Sequence, residues 1–281
     1  MNARTFRMAM RWLLPFLLVG GIASESLAQG TQGKEDPKAR LAKAEAMFAE
    51  RCKKSGEFIH RTAENVEGVF LMKVRMRHNH GDQYRMSDPF GHDSTGNDYF
   101  KSFLVGRDKD GWQTSTRPVA SKGYRYVEAL DEKDGKRYRY TGSMKSVGRK
   151  DVTAKGVQMA LERNPNYDLN IYAYVLDKLP APGPMPRYGI TYDDISTREE
   201  RDYWIAGSSL KVIDLKTNEV MAERIGYMMD RGQGNTSGGR SPWLLAADNA
   251  CPEFPPGGGG HKYPVEQTRR FVEKSLKPIQ D

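Results

Sequence analysis

The residues best suited to chemistry gather in one polar stretch, residues 78–96. His78, His80, His92 and Asp93 lie there with Asp82 and Asp88, among three glycines and an Asp88-Pro89 step. Imidazole and carboxylate groups of this kind could hold zinc if the chain folded them together. Their spacing matches no established ligand pattern, and polar loops collect His and Asp by composition alone. No metal or cofactor is therefore expected, and His78, His80, His92 and Asp93 are the candidates should one bind. Serine chemistry needs a nucleophile on a sharp turn, usually within GxSxG. Gly207-Ser208-Ser209-Leu210 is not that motif and lies inside a strand-like run. The pairs Asp193-Asp194 and Glu199-Glu200 are unremarkable in a chain with 36 acidic residues. Gly232-Gln233-Gly234 with Gly238-Gly239 lacks the Lys-Ser/Thr ending of a phosphate loop. No catalytic residue emerges, so a non-enzymatic protein is the expectation. Tyr227, Asp230, Arg231, Arg240 and Trp243, beside Met228 and Met229, form a different kind of candidate. Trp, Tyr and Arg anchor protein interfaces and Met adapts to irregular surfaces. The plainer alternative places Trp243 and the Met pair in the core.

The elements that would position these residues begin with an address. Residues 1–28 run from a basic start (Arg4, Arg7, Arg11) through an apolar stretch (WLLPFLLVGGIA) to small residues, Ser26-Leu27-Ala28. That is the layout of a secretory signal peptide, with cleavage expected between Ala28 and Gln29. The apolar run, about 12 residues, is short of the roughly 20 a membrane span needs. No Cys follows the cleavage position to accept a lipid, and no twin-arginine pair is present. The expected location is the periplasm. The chain carries a net charge of +8. Residues 1–28 hold three Arg and one Glu, so the remainder is near +6. These charges are interspersed rather than blocked, which argues against a nucleic-acid partner. Cys52 and Cys251 are the only cysteines. In an oxidising compartment they are expected to pair and close a loop of about 200 residues, worth roughly 4–5 kcal/mol in the chain-entropy model.

Residues 29–35 are Gly/Gln/Lys-rich and expected to be disordered. Asp36-Pro37 opens a helix whose apolar stripe runs through Leu41, Ala44, Met47, Phe48 and Cys52. Strands are expected at 57–62, 68–75, 99–105, 123–130, 136–141, 169–176 and 188–192. Residues 152–161 fit either a strand or a short helix, and 180–186 (PAPGPMP) an extended connector. Ser196 to Glu199 has the form of a capping box. The clearest hairpin pairs 204–215 with 219–229 across Lys216-Thr217-Asn218, and 267–276 closes the chain as a helix. The reading is a single α+β domain over 36–281, a predominantly antiparallel sheet with an N-terminal and a C-terminal helix.

Three stretches carry a resemblance: 52–75 (CKKSGEFIHRTAENVEGVFLMKVR), 188–201 (YGITYDDISTREER) and 204–232 (WIAGSSLKVIDLKTNEVMAERIGYMMDRG). Together they resemble exported proteobacterial proteins similar to immunity proteins carried beside type VI secretion effectors, including the lipase-immunity type. The resemblance implies a protein partner, a secreted effector, and assigns no site residues. The missing lipid anchor departs from the lipase-immunity pattern. Two rivals stand beside it: an envelope metal-dependent hydrolase using the 78–93 loop, and an envelope structural or assembly factor.

Overall fold

The computed structural model describes residues 35–77, 82–84, 93–105, 123–256, 260–262 and 266–279. Residues 1–34, with the signal peptide and its Ala28/Gln29 cleavage position, lie outside them, as do His78, His80 and His92. Residues 36–281 form one unit.

The chain opens with α1 (Pro37–Cys52). Asp36 accepts a hydrogen bond from Ala39 N at 2.9 Å, and Pro37 sits where its missing N–H is not needed. Then come β1 (Gly56–Ile59), β2 (Ala63–Val66), β3 (Gly68–Leu71), α2 (Asn97–Leu104), β4 (Tyr126–Leu130), β5 (Arg137–Arg149) and α3 (Lys155–Arg163). The rest is β6 (Asn170–Pro180), β7 (Tyr188–Asp194), α4 (Arg198–Asp202), β8 (Ile205–Asp214), β9 (Glu219–Met229), α5 (Pro242–Ala246), β10 (Ala250–Cys251), α6 (Gln267–Ser275) and β11 (Leu276–Pro278).

The expected α+β class holds. One nine-stranded sheet runs β1-β9-β8-β7-β3-β4-β5-β6, with β10 also on β9, and β2 pairs β11 separately. Most pairs in the large sheet are antiparallel, but β3 is parallel to both β4 and β7. A parallel pair needs a crossover, and α2 lies within the one from β3 to β4. This corrects the strand expected at 99–105. The segment YFKSFLV has β-rich composition, yet Tyr99, Phe100, Phe103 and Leu104 share one buried helical face. Burial of about 1.5–3 kcal/mol per large apolar side chain outweighs a propensity difference of a few tenths. Of the two alternatives for 152–161 the helix is found: α3 starts within the segment and runs two residues beyond it. The capping box shifts by one residue: Thr197 accepts from Glu200 N while Glu200 accepts from Thr197 N. Ser196 Oγ instead accepts from Gly207 N.

Period two sorts the strands into faces. Leu71, Val127, Ile190, Leu210 and Val212 pack beneath Tyr99 and Phe103 of α2 and Phe271 and Val272 of α6. Ile205, Tyr227 and Met229 pack with Ala44 of α1. Ala206 and Met228 point to the opposite side, against Trp243, Ala246 and Phe254. Gly207 is required where it stands, because a Cβ there would sit 2.4 Å from the Tyr227 ring. Cys52 and Cys251 are joined in a disulfide with Cα atoms 5.5 Å apart, so the end of α1 is tied to β10.

Candidate functional site at the carboxyl end of β3

In an open sheet with parallel strands, ligand crevices form outside the carboxyl ends, where the chain leaves in opposite directions. Here β3 lies between β4, reached through α2, and β7. A cleft of about 460 Å³ opens at this point. Its lining comes from five separate segments: the exit of β3, the start of α2, the β4–β5 turn, Tyr140 of β5 and Lys178 of β6.

The floor is apolar. Leu71 is buried, and Phe100 stacks on Tyr140 with ring centroids 3.9 Å apart. Three large apolar groups stand at the rim in water: Met72, Met76 and Leu130, exposed by 44%, 51% and 55%. Charges of both signs surround them. Lys178 pairs with Asp131 and places its ammonium 4.0 Å from the centre of the Tyr138 ring. The hydrogen bond from Lys178 holds the Asp131 carboxyl below its ordinary range, helped by the Lys133 backbone N–H, and the same bond raises the Lys178 ammonium. Lys73 donates to Tyr192 O at 2.7 Å and to Asp193. Burial raises the Tyr140 phenol. Lys133 and Glu132 complete the charged rim. Among the described residues lining the cleft, none is Ser, Cys or His. The arrangement offers an apolar slot with a two-signed collar, suited to holding an amphiphilic segment.

The chemistry-bearing residues singled out by sequence sit elsewhere. Asp93 is buried, and its carboxylate accepts from Thr268 N at 3.0 Å and from Thr268 Oγ1. Thr268 lies in the first turn of α6, and the residue before that helix, Glu266, makes no side-chain cap. Asp93 therefore caps α6 from a distant part of the chain. Arg75 lies 3.5 Å from it, donates to Thr268 Oγ1 at 2.6 Å, and rests over the Tyr192 ring at 4.3 Å. Among the described residues no group of three or more His, Cys, Asp or Glu could hold a metal ion.

The interface candidates need correction. Trp243 is 1% exposed and packs on Trp204 at 5.0 Å between centroids. Tyr227 is buried against α1. Asp230 is fully buried, accepting from Gly232 N at 3.0 Å, Gly234 N at 2.8 Å and the Arg240 guanidinium. Arg240 also donates to Asn235 O at 3.0 Å. Asp230 and the half-buried Arg240 clamp the glycine-rich loop to the body of the fold, while Tyr227 and Trp243 are buried in the core. Arg231 alone is largely exposed, paired with Glu45 at 3.5 Å.

A set of buried carboxylates paired with arginines escaped sequence reasoning. Asp214 receives Arg187 and Arg61, each at 2.7 Å, and the Arg187 hydrogen bond, followed by that from Arg61, drives its carboxyl far below the usual range. Glu128 receives Arg139 at 2.8 Å and Glu200 receives Arg51. The Tyr/Arg alternation of 137–140 was the available signal for the Glu128 pair, since Arg139 lies directly opposite Glu128 in the register.

No family model, no curated protein and no solved structure matches the chain. Among the described residues, no helix is long and apolar enough to cross a membrane.

Proposed function

We propose that this chain is a non-enzymatic binding protein of the periplasm, and that it protects its own cell by covering the active site of a secreted type VI effector. The observation that carries the binding reading is the cleft beyond β3, where Met72, Met76 and Leu130 stay in water beside paired charges of both signs. Apolar groups ringed by polar ones mark sites that another molecule covers. The occupant argued for is an apolar side chain of the partner flanked by a charged residue of its own. The disulfide supports work in an oxidising compartment. The signal-peptide layout of residues 1–28 supports the route there.

The test is survival. Cells lacking this gene are challenged by sister cells that deliver the effector. They are expected to die, to be rescued by the unaltered gene, and not to be rescued by Leu130→Glu. Deleted cells that survive like their parent sink the protective reading. Full rescue by Leu130→Glu moves the contact away from the cleft.

A further inference from the structure

The two margins of the nine-stranded sheet differ in length: one is split between the short strands β1 and β10, and the other is the single eleven-residue strand β6. At β9, the outer edge is shared by β1 and β10. At the far side, β6 pairs β5 along its whole length, from Asn170 to Pro180, and among the described residues no strand lies beyond it. An open edge presents unpaired N–H and C=O groups, and proteins usually blunt one with charges, prolines or bulges. Residues 170–176 (NIYAYVL) carry no charge or proline, and the irregularity in the pair lies on β5, between Ser146 and Gly148. Asp177, Lys178 and Pro180 fall only at the end.

The ribbon needs support as well. β4 covers β5 only over residues 137–140, so 141–149 of β5 and 170–177 of β6 stand as two strands alone. A two-stranded ribbon alone is marginal in water; Tyr174 and Leu176 rest this one on the core beside α2, and its other side has no strand of its own to lean on among the described residues.

We infer that β6 pairs antiparallel with β6 of a second copy, about a two-fold axis through Val175. Directly opposite residues share a face, so an axis perpendicular to the sheet must pass through a residue and not between two. Val175 is the midpoint of 170–180, so only this register engages all eleven residues. It sets Ile171 opposite the partner's Leu179, and these two, 39% and 64% exposed, are the strand's exposed large apolar groups. Asp177 then faces the partner's Ala173, and Lys178 faces the partner's Tyr172, so no like charges meet. An axis through Tyr174 would set Ile171 against the partner's Asp177. An axis through Leu176 would leave Ile171 without a partner in the strand. The four-stranded ribbon so formed gives residues 141–149 and 170–177 the further strands they lack. This inference stands apart from the protective function and survives its failure.

The test uses cysteine placement in the full chain. Both native cysteines are held in the disulfide, so one introduced cysteine is the sole free thiol. Opposed residues have Cα atoms about 4.5–5.5 Å apart, within disulfide reach. Val175→Cys is expected to cross-link to itself under mild oxidation, and Ala173→Cys is not. Ile171→Cys mixed with Leu179→Cys is expected to give a heterodimer that neither gives alone; both positions are exposed, so the fold tolerates them. Val175→Lys opposes two ammonium groups and is expected to weaken dimerisation roughly tenfold or more by sedimentation equilibrium. Unaltered protein that sediments as a monomer at every concentration overturns the inference. So does cross-linking of Ala173→Cys as fast as Val175→Cys.

Discussion

Replacing both cysteines by alanine should cost this protein a large share of its stability. Cys52 and Cys251 are 199 residues apart. In the chain-entropy model, closing so long a loop removes about 18 cal/mol/K from the unfolded state, or roughly 5 kcal/mol at 25 °C. The cavity contribution is small, because both side chains are only half-buried. What holds the two ends otherwise is modest: β10 pairs β9 through two residues, and α1 relies on Ala44, the Arg51–Glu200 pair and its packing on Tyr203 and Tyr227. A loss of roughly 5 kcal/mol compares with about 5–15 kcal/mol for a typical whole domain. For a unit of this size it lowers the midpoint of thermal unfolding by about 10–20 °C. Urea unfolding of the Cys52→Ala/Cys251→Ala variant measures it, and the reduced native protein should match the variant within about 1 kcal/mol. A loss below about 1 kcal/mol with an unchanged slope would refute the reasoning, since the unfolded ensemble would then gain almost no freedom when the bridge is absent.

Three further outcomes are expected. Asp93→Ala removes the cap of α6 and a carboxylate from Arg75 inside the fold, so urea unfolding should report a loss of about 3–5 kcal/mol, with Asp93→Asn milder because its amide oxygen still accepts from Thr268 N. Asp214 is held well below the usual carboxylate range by Arg187 and Arg61, so its stabilising contribution is complete above the unfolded value of about 3.9 and fades as pH falls beneath it. The stability gap between the native protein and Asp214→Asn should therefore be wide at neutral pH and narrow below about pH 4; a constant gap through that range contradicts the pairing. Leu130→Glu, at a position 55% exposed, should change stability by no more than about 0.5 kcal/mol while abolishing protection, measured by urea unfolding alongside survival.

The elements legible in the sequence are those fixed by local signals. Asp36-Pro37 caps and starts α1 where expected. The turn at 216–218 joins β8 to β9, whose residues alternate between two apolar faces. The final helix carries Phe271 and Val272 inward. The elements fixed by distant partners were hidden. α2 looks like a strand by composition because its aromatic residues serve a crossover that no local pattern announces. β5 continues through GSMKSVGR, a poor strand sequence, because β6 pairs it throughout and Tyr174 covers Gly142. The short strands β2, β10 and β11 exist only through their partners. The cleft was illegible for the same reason: Met72, Asn97, Leu130 and Lys178 meet only once β3 lies parallel to β4. Arg240 and Asp230 read as interface candidates beside flexible glycines, but a sequence does not tell an inward clamp from an outward anchor.

The placement of these features divides the sheet into two halves with different demands. Around β8 and β9 the chain is fastened repeatedly. The disulfide ties α1 to β10, Asp230 and Arg240 hold the glycine-rich loop, and the Trp204–Trp243 pair fills the space under α5. From β3 to β6 the fastening thins out. Met72, Met76 and Leu130 stand at the cleft, while Val147, Met159, Ile171 and Leu179 stand along the ribbon and its helix. Hydrophobic groups in water lower stability relative to burying them, by about 25 cal/mol for each Å² left uncovered. Phe58, Ile59 and Val220 are exposed at the β1–β9 end as well, so the two ends differ in how many such groups they leave bare and not in whether they leave any. On the proposed function the contact falls in the β3–β6 half, and the β8–β9 half is its anchorage. Alanine at Trp243 should therefore cost stability first, and alanine at Leu130 or Leu179 should cost association first.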